Sequence, residues 1–462
     1  MKKLALLGVL AVILFLGCPG SKVTTITVTP AADTTGIGLT AQFTATAYDA
    51  DGGVISDVTF TWSSSSAATA TVDDDGLATG VATGSCTITA ASDDVEGTAT
   101  LVITTGPTHH SGAITADETW YPSGNPHIID NDVWTENNAT LTILPGCVVK
   151  FEPGTELYTG YSSTAGAIVA NGKADTTIIF TSNATSPSPG DWAGISLWDN
   201  AMNTCSFSYC TIEYAGMGAV YGSFYATGIN YVKINNCTIQ HSGSNAVVFH
   251  SSAGFTSFTN NTITDCTGYP LSIGGEFVRT IGSGNTFTSN TTNAIYVLGA
   301  IIHTSGTWIN PGVPYVIGGD IDIADNNTNP VLTIAAGNTI KFQPGYEMYC
   351  GYSESGGLIA DGTAGRITFT SNVPSPSPGD FQDIGFWDNT IATSKLVNCN
   401  ILYAGGYYGN VYINASMPEI RGDSIGYSET WGISLNGATH PDRDSLLAHN
   451  TFFNNTLGDV SP

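Results

Sequence analysis

Apolar and polar residues alternate in short runs along most of this chain. Between residues 22 and 105 the runs TTITVTP, LTAQFTATAYD and GTATLVIT are separated by turn-forming residues every 8 to 14 positions. Alternation with a period of two gives a strand one buried face. No segment after the first 17 residues keeps a helical apolar period. The pattern predicts an all-β protein, with a small β-sandwich over residues 23–105.

Two longer stretches repeat one alternating pattern. LTILPGCVVKFEPGTELYTGY from Leu141 returns as LTIAAGNTIKFQPGYEMYCGY from Leu332, and the strings SPSPGDW, LWDN and CTIEYAG return as SPSPGDF, FWDN and CNILYAG. Matching residues lie 189 to 191 positions apart. Such self-similarity predicts one module carried twice, as a first unit at 120–300 and a second unit at 301–462.

A shorter repeat lies inside both units. Its marker residue precedes a short strand and recurs every 24 or 27 positions, at Cys210, Cys237, Asn261 and Asn285, then at Cys399, Asp423 and Asn450. This period predicts a solenoid in which each coil stacks on the last. With LTILPGCVVKFEPG, IIFTSN and PGDWAGI, the chain from Trp120 onward resembles the right-handed parallel β-helix repeat proteins of bacterial surfaces.

Eight cysteines follow Cys18, an even number that is compatible with disulfides in an exported protein. Several of them occupy the same repeat position as asparagines, which favours buried free thiols. Because neighbouring rungs lie about 4.8 Å apart, a bridge between Cys210 and Cys237 remains open.

Residues 22–105 resemble the group 2 bacterial immunoglobulin-like domain. The resemblance is carried by Val28-Thr29-Pro30, Trp62-Ser63-Ser64 and Gly76-Leu77-Ala78-Thr79-Gly80, and it implies an extracellular spacer without catalytic residues. Residues 106–119 are predicted to form a polar linker. Its adjacent His109 and His110 are either solvated or metal ligands, and a solvated linker is favoured because no partner ligand stands nearby.

The N-terminus reads as an export signal, with two lysines followed by an apolar run. Residues 15–18 (FLGC) resemble the bacterial lipobox, which implies a signal peptide at 1–17, lipidation of Cys18 and a short tether at 18–22. Pro19 after the cysteine favours the outer membrane. An ordinary cleaved signal is the alternative.

Charge narrows the range of partners. Removal of residues 1–17 deletes two lysines and no acid, which leaves 10 basic against 38 acidic residues and a net charge of about −28. Such a surface repels nucleic acid and anionic lipid, and it disfavours recognition of polyuronates. The predicted membrane contact is the lipid anchor alone.

Catalysis has to be considered because β-helices include pectin-degrading enzymes. The motifs of polygalacturonases are absent, and the few basic residues are scattered, which disfavours lyase chemistry. Carboxylate pairs of a hydrolase remain as candidates, at Asp191, Asp199, Asp380 and Asp388. The competing interpretation is turn structure, because aspartate side chains accept hydrogen bonds from turn amides.

Aromatic residues recur at equivalent positions of the two units. If Ile195 and Leu197 face the core, Trp198 points outward or into a turn. The candidates for a sugar-stacking surface are Trp198, Trp387, Tyr161, Tyr352, Tyr214 and Tyr403. The competing interpretation is that these rings cover the edges of the core.

No cofactor or metal is predicted. The acidic strings Asp73-Asp74-Asp75 and Asp320-Ile321-Asp322 would suit calcium by charge, but neither has the spacing of a calcium loop. The sequence thus predicts a non-enzymatic, lipid-anchored surface protein whose β-helix binds a polysaccharide or cell-surface glycan. A polysaccharide-degrading β-helix enzyme and a purely structural stalk are the alternatives, and the oligomeric state stays open.

Overall fold

The computed structural model describes residues 22–104, 107–218, 221–250 and 252–462. The chain divides into two compact units between residues 105 and 106. The predicted signal peptide and Cys18 lie outside the described residues. Within these ranges, no helix is both long and apolar enough to cross a membrane.

The N-terminal unit is a sandwich of short, mostly antiparallel strands. Alternate residues of its strands are buried, and Phe43, Ile88 and Leu101 are at most 1% exposed. Cys86 is a buried free thiol. The strands are β1 (Thr25–Thr29), β2 (Ala32–Gly36), β3 (Thr40–Gln42), β4 (Thr44–Tyr48), β5 (Val54–Ile55), β6 (Thr61–Ser64), β7 (Ala70–Val72), β8 (Leu77–Gly80), β9 (Gly84–Ser92) and β10 (Val95–Thr104).

The C-terminal unit is a solenoid of short strands that pair in parallel with the equivalent strands of the next coil. In its first part the strands are β11 (Thr108–Ile114), β12 (Glu118–Trp120), β13 (His127–Thr135), β14 (Ala139–Ile143), β15 (Val148–Phe151), β16 (Glu156–Thr159), β17 (Gly166–Asn171), β18 (Ile178–Ser182), β19 (Gly194–Leu197), β20 (Ser206–Ser208), β21 (Cys210–Glu213), β22 (Phe224–Ala226), β23 (Val232–Asn235), β24 (Thr238–Gln240), β25 (Val247–Phe249), β26 (Phe255–Thr259), β27 (Thr262–Thr264), β28 (Leu271–Gly274), β29 (Thr286–Thr288) and β30 (Ile295–Leu298).

The second part repeats the arrangement. Its strands are β31 (Ala300–Ile302), β32 (Gly306–Trp308), β33 (Tyr315–Ile317), β34 (Ile321–Ile323), β35 (Val331–Ile334), β36 (Thr339–Phe342), β37 (Met348–Cys350), β38 (Gly357–Asp361), β39 (Ile367–Ser371), β40 (Ile384–Phe386), β41 (Lys395–Val397), β42 (Cys399–Leu402), β43 (Gly409–Asn414), β44 (Glu419–Arg421), β45 (Ser424–Gly426), β46 (Trp431–Asn436), β47 (Thr451–Phe453) and β48 (Gly458–Val460). In the described residues of the whole solenoid, short helical segments also lie between strands. They are the 3₁₀ turns Pro122–Gly124, Gly275–Thr280 and Gly362–Ala364 and the helix α1 (Arg443–His449).

The two repeated units form one continuous parallel ladder. A twenty-stranded sheet runs from β11 to β47 and crosses the boundary between the units through the pairing of β30 with β33. One apolar core extends from Ile114 to Val460. A seven-stranded sheet, β31-β34-β37-β40-β43-β46-β48, forms a further face of the second unit.

The predicted marker residues stack in register. Pairing of Thr211 with Thr238, and of Thr238 with Thr262, places Cys210, Cys237 and Asn261 on successive coils. The Asn261 carboxamide accepts a hydrogen bond from the Cys237 backbone N–H at 2.9 Å and donates one to the carbonyl of Ile234 at 2.9 Å. All eight cysteines of the described residues are buried and free, so the ladder position holds thiols and not a bridge.

The structure corrects the predicted linker at 106–119. β11 pairs in parallel with β13, and β12 pairs with β14, so this segment forms the first coil of the solenoid. The polar sequence did not indicate this coil because His110 is half-buried by polar and aromatic groups. Its ring stacks on Trp120 at 4.1 Å, and its Nε2 shares a 2.9 Å hydrogen bond with Nδ1 of His127. His109 lies 2.9 Å from a carboxylate oxygen of Asp130.

Candidate functional site

Two of the predicted carboxylates hold turns together. The Asp191 carboxylate accepts hydrogen bonds from the Ser182 hydroxyl at 2.7 Å and from the Ser188 backbone N–H at 3.0 Å. Asp380 accepts from the backbone N–H of Ser377 at 3.0 Å in the equivalent turn. These contacts match the turn interpretation.

The other two predicted carboxylates are exposed in the turns that follow Trp198 and Trp387. Asp388 accepts a hydrogen bond from the side chain of Asn389 at 3.2 Å. Asp199 packs against the backbone of Gly228, where an added Cβ would lie 2.4 Å from its Oδ1. Both residues occupy the rim of the aromatic surfaces described next.

Four of the predicted aromatic residues belong to two equivalent clusters. In the first aromatic cluster the ring of Trp198 lies 5.1 Å from Tyr161 and 5.2 Å from Tyr225. Tyr161 is 54% exposed, whereas Tyr225 is buried. The members of this cluster are Trp134, Tyr158, Tyr161, Trp198, Tyr221 and Tyr225.

The second aromatic cluster repeats this geometry one unit later. The ring of Trp387 lies 4.6 Å from Tyr352 and 5.0 Å from Tyr412, and Tyr352 is 55% exposed. Tyr225 and Tyr412 occupy the same register position, opposite Ser196 and Gly385. The members of this cluster are Tyr349, Tyr352, Trp387, Tyr407, Tyr408 and Tyr412.

The remaining two predicted tyrosines lie at a corner of the solenoid. Tyr214 and Tyr403 adopt positive φ angles of 62° and 70° directly after β21 and β42. Tyr214 stacks on His241 at 5.0 Å, and Tyr403 stacks on Tyr427 at 4.7 Å. The rings therefore stack on the equivalent corner of the next coil and are not members of either aromatic cluster.

The sequence singled out Asp320 and Asp322 as an acidic string, but it did not reveal that they join Glu347 and Asp383 beside the second aromatic cluster. Asp320, Glu347 and Asp383 immediately precede Ile321, Met348 and Ile384, which are register partners on β34, β37 and β40. Asp322 is paired with Tyr349 in the next row. We call these four residues, Asp320, Asp322, Glu347 and Asp383, the second-unit acidic cluster.

The cluster is packed against the aromatic rings. The Glu347 backbone N–H donates to Oδ1 of Asp320 at 3.2 Å. A Cβ atom on Gly385 would lie 2.9 Å from Cβ of Tyr349, 3.1 Å from Oδ1 of Asp383 and 3.2 Å from Nε1 of Trp387. Glycine at position 385 thus makes room for the Asp383 carboxyl and the Trp387 indole to approach one another.

Burial and neighbouring negative charges raise the pKa of three of these carboxyl groups, those of Glu347, Asp322 and Asp383. Burial, followed by the charges of Asp320 and Asp322, raises the pKa of Glu347 to about 7. Burial, followed by the Glu354 charge, raises the pKa of Asp322 to about 6. Asp383 is 1% exposed, and its pKa lies well above the usual range because of burial and then the Glu347 charge. Carboxyl groups in such environments are typical of functional sites.

Among the described residues these carboxyl groups have no cationic partner in an ion pair, and two of their oxygens have no hydrogen bond. Oδ1 of Asp322 and Oδ2 of Asp383 are buried without a hydrogen bond. None of the ion pairs that the described ranges contain includes a member of the cluster. In the same ranges, no group of three histidine, cysteine, aspartate or glutamate side chains is arranged to hold a metal ion.

The first unit has no such cluster. Its Glu156 corresponds to Glu347, and its Asp132 accepts from the Glu156 backbone N–H at 2.9 Å as Asp320 does from Glu347. The other cluster positions differ: Trp134 stands where the second unit has Asp322, Gly194 where it has Asp383, and Ser196 where it has Gly385. The Ser196 hydroxyl donates a hydrogen bond to Glu156. Comparison of the two copies at these positions would have revealed the cluster.

The fold and the site define an all-β protein in which an immunoglobulin-like unit precedes a parallel β-helix with aromatic surfaces. Residues 22–103 match the family model of the bacterial Ig-like domain (group 2). Residues 112–261 match that of the pectate-lyase like beta helix domain. No curated protein matches the chain. The two matches occur in the predicted order, which confirms the predicted immunoglobulin-like and β-helix regions.

Proposed function

We propose that this protein is a non-enzymatic β-helix protein that binds glycans. It is anchored through a lipid on Cys18 to the bacterial cell surface, at the outer membrane, and its β-helix is displayed on an immunoglobulin-like spacer. The two domain families support a surface β-helix protein. The anchor rests on the lipobox-like residues 15–18, which lie outside the described residues.

The observation that carries glycan binding is the recurrence of the aromatic clusters. Each combines an outward tyrosine more than half exposed, Tyr161 or Tyr352, with a partly buried tryptophan, Trp198 or Trp387. Rings held edge to face by neighbouring rings present a fixed apolar surface with polar edges, on which a sugar ring can stack. Rings that served only to cover the edges of the core would not need a half-exposed tyrosine at the equivalent position of each unit.

The charge of the protein restricts the glycan. The chain carries 38 acidic and 12 basic residues in all, and a surface of one sign repels ligands of the same sign. The ligand is therefore a neutral or cationic glycan and not a polyuronate.

A glycan array followed by calorimetry tests this function. The detergent-solubilised full-length protein is compared with Trp198→Ala and Trp387→Ala. Loss of one stacking ring removes about 1 kcal/mol, or about fivefold in Kd, and the double variant loses more. Tyr214→Ala and Tyr403→Ala are matched controls, since their rings lie outside both clusters, and they retain binding. Absence of binding to every glycan would favour the structural stalk.

Glycoside hydrolysis is the second candidate function. It is favoured by the buried Asp383 carboxyl beside Glu347, because a carboxyl group with a raised pKa under aromatic cover suits a general acid. Chromatography of array-positive oligosaccharides after incubation tests this candidate. Product that disappears in Asp383→Asn would establish hydrolysis, and unchanged oligosaccharides would retain the binding function alone.

A further inference from the structure

None of the ion pairs of the described residues gives the second-unit acidic cluster a cationic partner. Four carboxyl groups lie on neighbouring coils, and buried oxygens of Asp322 and Asp383 have no hydrogen-bond donor. Buried charges in proteins are normally paired, because an unpaired one costs several kcal/mol. The cluster therefore has the chemistry of a site that receives a cation.

The spacing of the coils suits a single ammonium group. Neighbouring coils stand about 4.8 Å apart, and an ammonium nitrogen lies about 2.8 Å from each carboxylate oxygen that it contacts. One ammonium can thus bridge side chains of adjacent coils, such as Glu347 and Asp383. An ammonium group also offers three N–H donors, so it can donate to carboxyl groups of two coils at once.

The neighbouring rings indicate what carries this ammonium. Trp387 Nε1 and Asp383 Oδ1 both lie about 3 Å from the vacant Cβ position of Gly385, so the carboxyl group and the aromatic surface adjoin. The electron-rich face of an indole or phenol attracts cations as well as sugar rings. A ligand that combines a sugar ring with an ammonium group satisfies both features.

We propose that the second-unit acidic cluster binds the ammonium group of an amino sugar within a glycan held by the second aromatic cluster. The proposal rests on the glycan-binding function proposed above and specifies its ligand. The first unit, with Gly194, Ser196 and Trp134 at the corresponding positions, binds the same glycan without preference for the amine.

Titratable groups from several elements face this site. Asp322 lies on β34 and Tyr349 on β37, whereas Asp320, Glu347, Asp383 and Tyr408 directly precede β34, β37, β40 and β43. The charges of Glu354 and His303 also act on Asp322. Near neutral pH the Glu347 carboxyl group is partly protonated, because burial and neighbouring charges raise its pKa to about 7. Binding of an ammonium group therefore releases protons, which calorimetry in buffers of different ionisation enthalpy measures.

The test compares two oligosaccharides that differ only in the amine. The full-length protein is titrated with a β-1,4-linked glucosamine hexamer and with its N-acetylated counterpart. The wild type is expected to bind the free amine about tenfold more tightly and to release protons on doing so. Glu347→Gln and Asp383→Asn reduce the preference to below about threefold and leave the Kd of the acetylated hexamer within about twofold.

Asp388→Asn is the matched control, since it removes a negative charge next to Trp387 but outside the cluster. It retains the preference, which separates the site from the general attraction of an acidic protein for cations. The proposal is overturned if the wild type binds both hexamers equally, if the preference survives both cluster variants, or if spermidine competes as well as the amino sugar.

Failure of the underlying glycan-binding function gives a different result. In that case neither hexamer nor any array glycan binds, and Trp387→Ala has no effect. If array glycans bind in a Trp387-dependent manner while the amine confers no advantage, the amino-sugar proposal alone is wrong.

Discussion

Replacement of Asp423 by asparagine is expected to stabilise the β-helix at alkaline pH. Asp423 is 1% exposed and occupies the ladder position that Asn261 holds in the first unit. Its Oδ1 accepts the Cys399 N–H at 2.6 Å, but its Oδ2 is buried without a hydrogen bond. Asn261 meets the same geometry with a carboxamide whose Nδ2 donates to a carbonyl of the preceding coil. Asp423 can act in this way only when protonated.

The magnitude follows from linkage. Burial raises the pKa of Asp423 from 3.8 to about 7. Below pH 3.8 the carboxyl is protonated in both the folded and the unfolded chain, and ionisation then costs nothing. As the pH rises to 7 the unfolded chain loses its proton while the folded chain keeps it. The folded state therefore loses stability, by about 4 kcal/mol at most for a shift of about three pKa units.

Urea denaturation at pH 4 and pH 8, followed by circular dichroism, measures this difference. Asp423→Asn does not titrate, so its stability advantage over the wild type is expected to grow by about 2 to 4 kcal/mol between these pH values. Asn261→Asp, at the equivalent position, is the reciprocal control and is expected to destabilise the protein at pH 8 more than at pH 4. An equal pH dependence of wild type and Asp423→Asn would show that Asp423 does not hold a proton in the folded state.

Other variants test other parts of the structure. Burial lowers the pKa of His110 to about 3, so the unfolded chain takes up a proton below pH 6.5 while the folded chain does not. The stability advantage of wild type over His110→Phe should therefore shrink from pH 6.5 towards pH 3, by about 1.4 kcal/mol per unit at most, in the same urea assay. Glu347→Gln should raise the urea midpoint at pH 8 and leave it nearly unchanged at pH 4, because the pKa of this group is raised to about 7; a lower midpoint at pH 8 would contradict the repulsion described above. Gly351→Ala should cost more than about 2 kcal/mol, since φ is 73° and the new Cβ would lie 2.3 Å from the Thr390 nitrogen. Gly345→Ala, with φ of 84° and no neighbour within 4 Å, is its control and should cost about 1 kcal/mol.

The solenoid was predictable because its determinants are local and periodic. The alternation of buried and outward residues, and the recurrence of the residue at positions such as Cys237 and Asn261, can be read directly from the sequence. The coil formed by residues 108–120 was not predictable in this way. His110 in this coil is half-buried because it contacts Trp120 and His127. His127 is 17 residues away, and no local sequence pattern predicts the contact with it.

The candidate site was predictable only in part. Trp198 and Trp387 stand out because they recur at equivalent positions, and the structure gives each of them an exposed tyrosine neighbour. Asp320, Glu347 and Asp383 are 27 and 36 residues apart in sequence, and only the register of the coils brings them together. Asp322 and Asp383 also have no carboxylate counterpart in the first unit, where Trp134 and Gly194 stand, so a search for shared motifs passes over them.

The continuous ladder fixes the distance between the two aromatic clusters. Trp198 directly follows β19, and Trp387 directly follows β40. The coils after that of β19 carry, in order, β22, β25, β28, β30, β34, β37 and β40. At about 4.8 Å per coil these seven steps span about 34 Å along the axis. Under the proposed glycan-binding function, a short oligosaccharide would occupy one cluster at a time, whereas a longer polymer would bridge both and gain avidity from the high effective concentration of the second site. The fixed spacing would then set a minimum glycan length for bivalent attachment and favour polymers over their fragments.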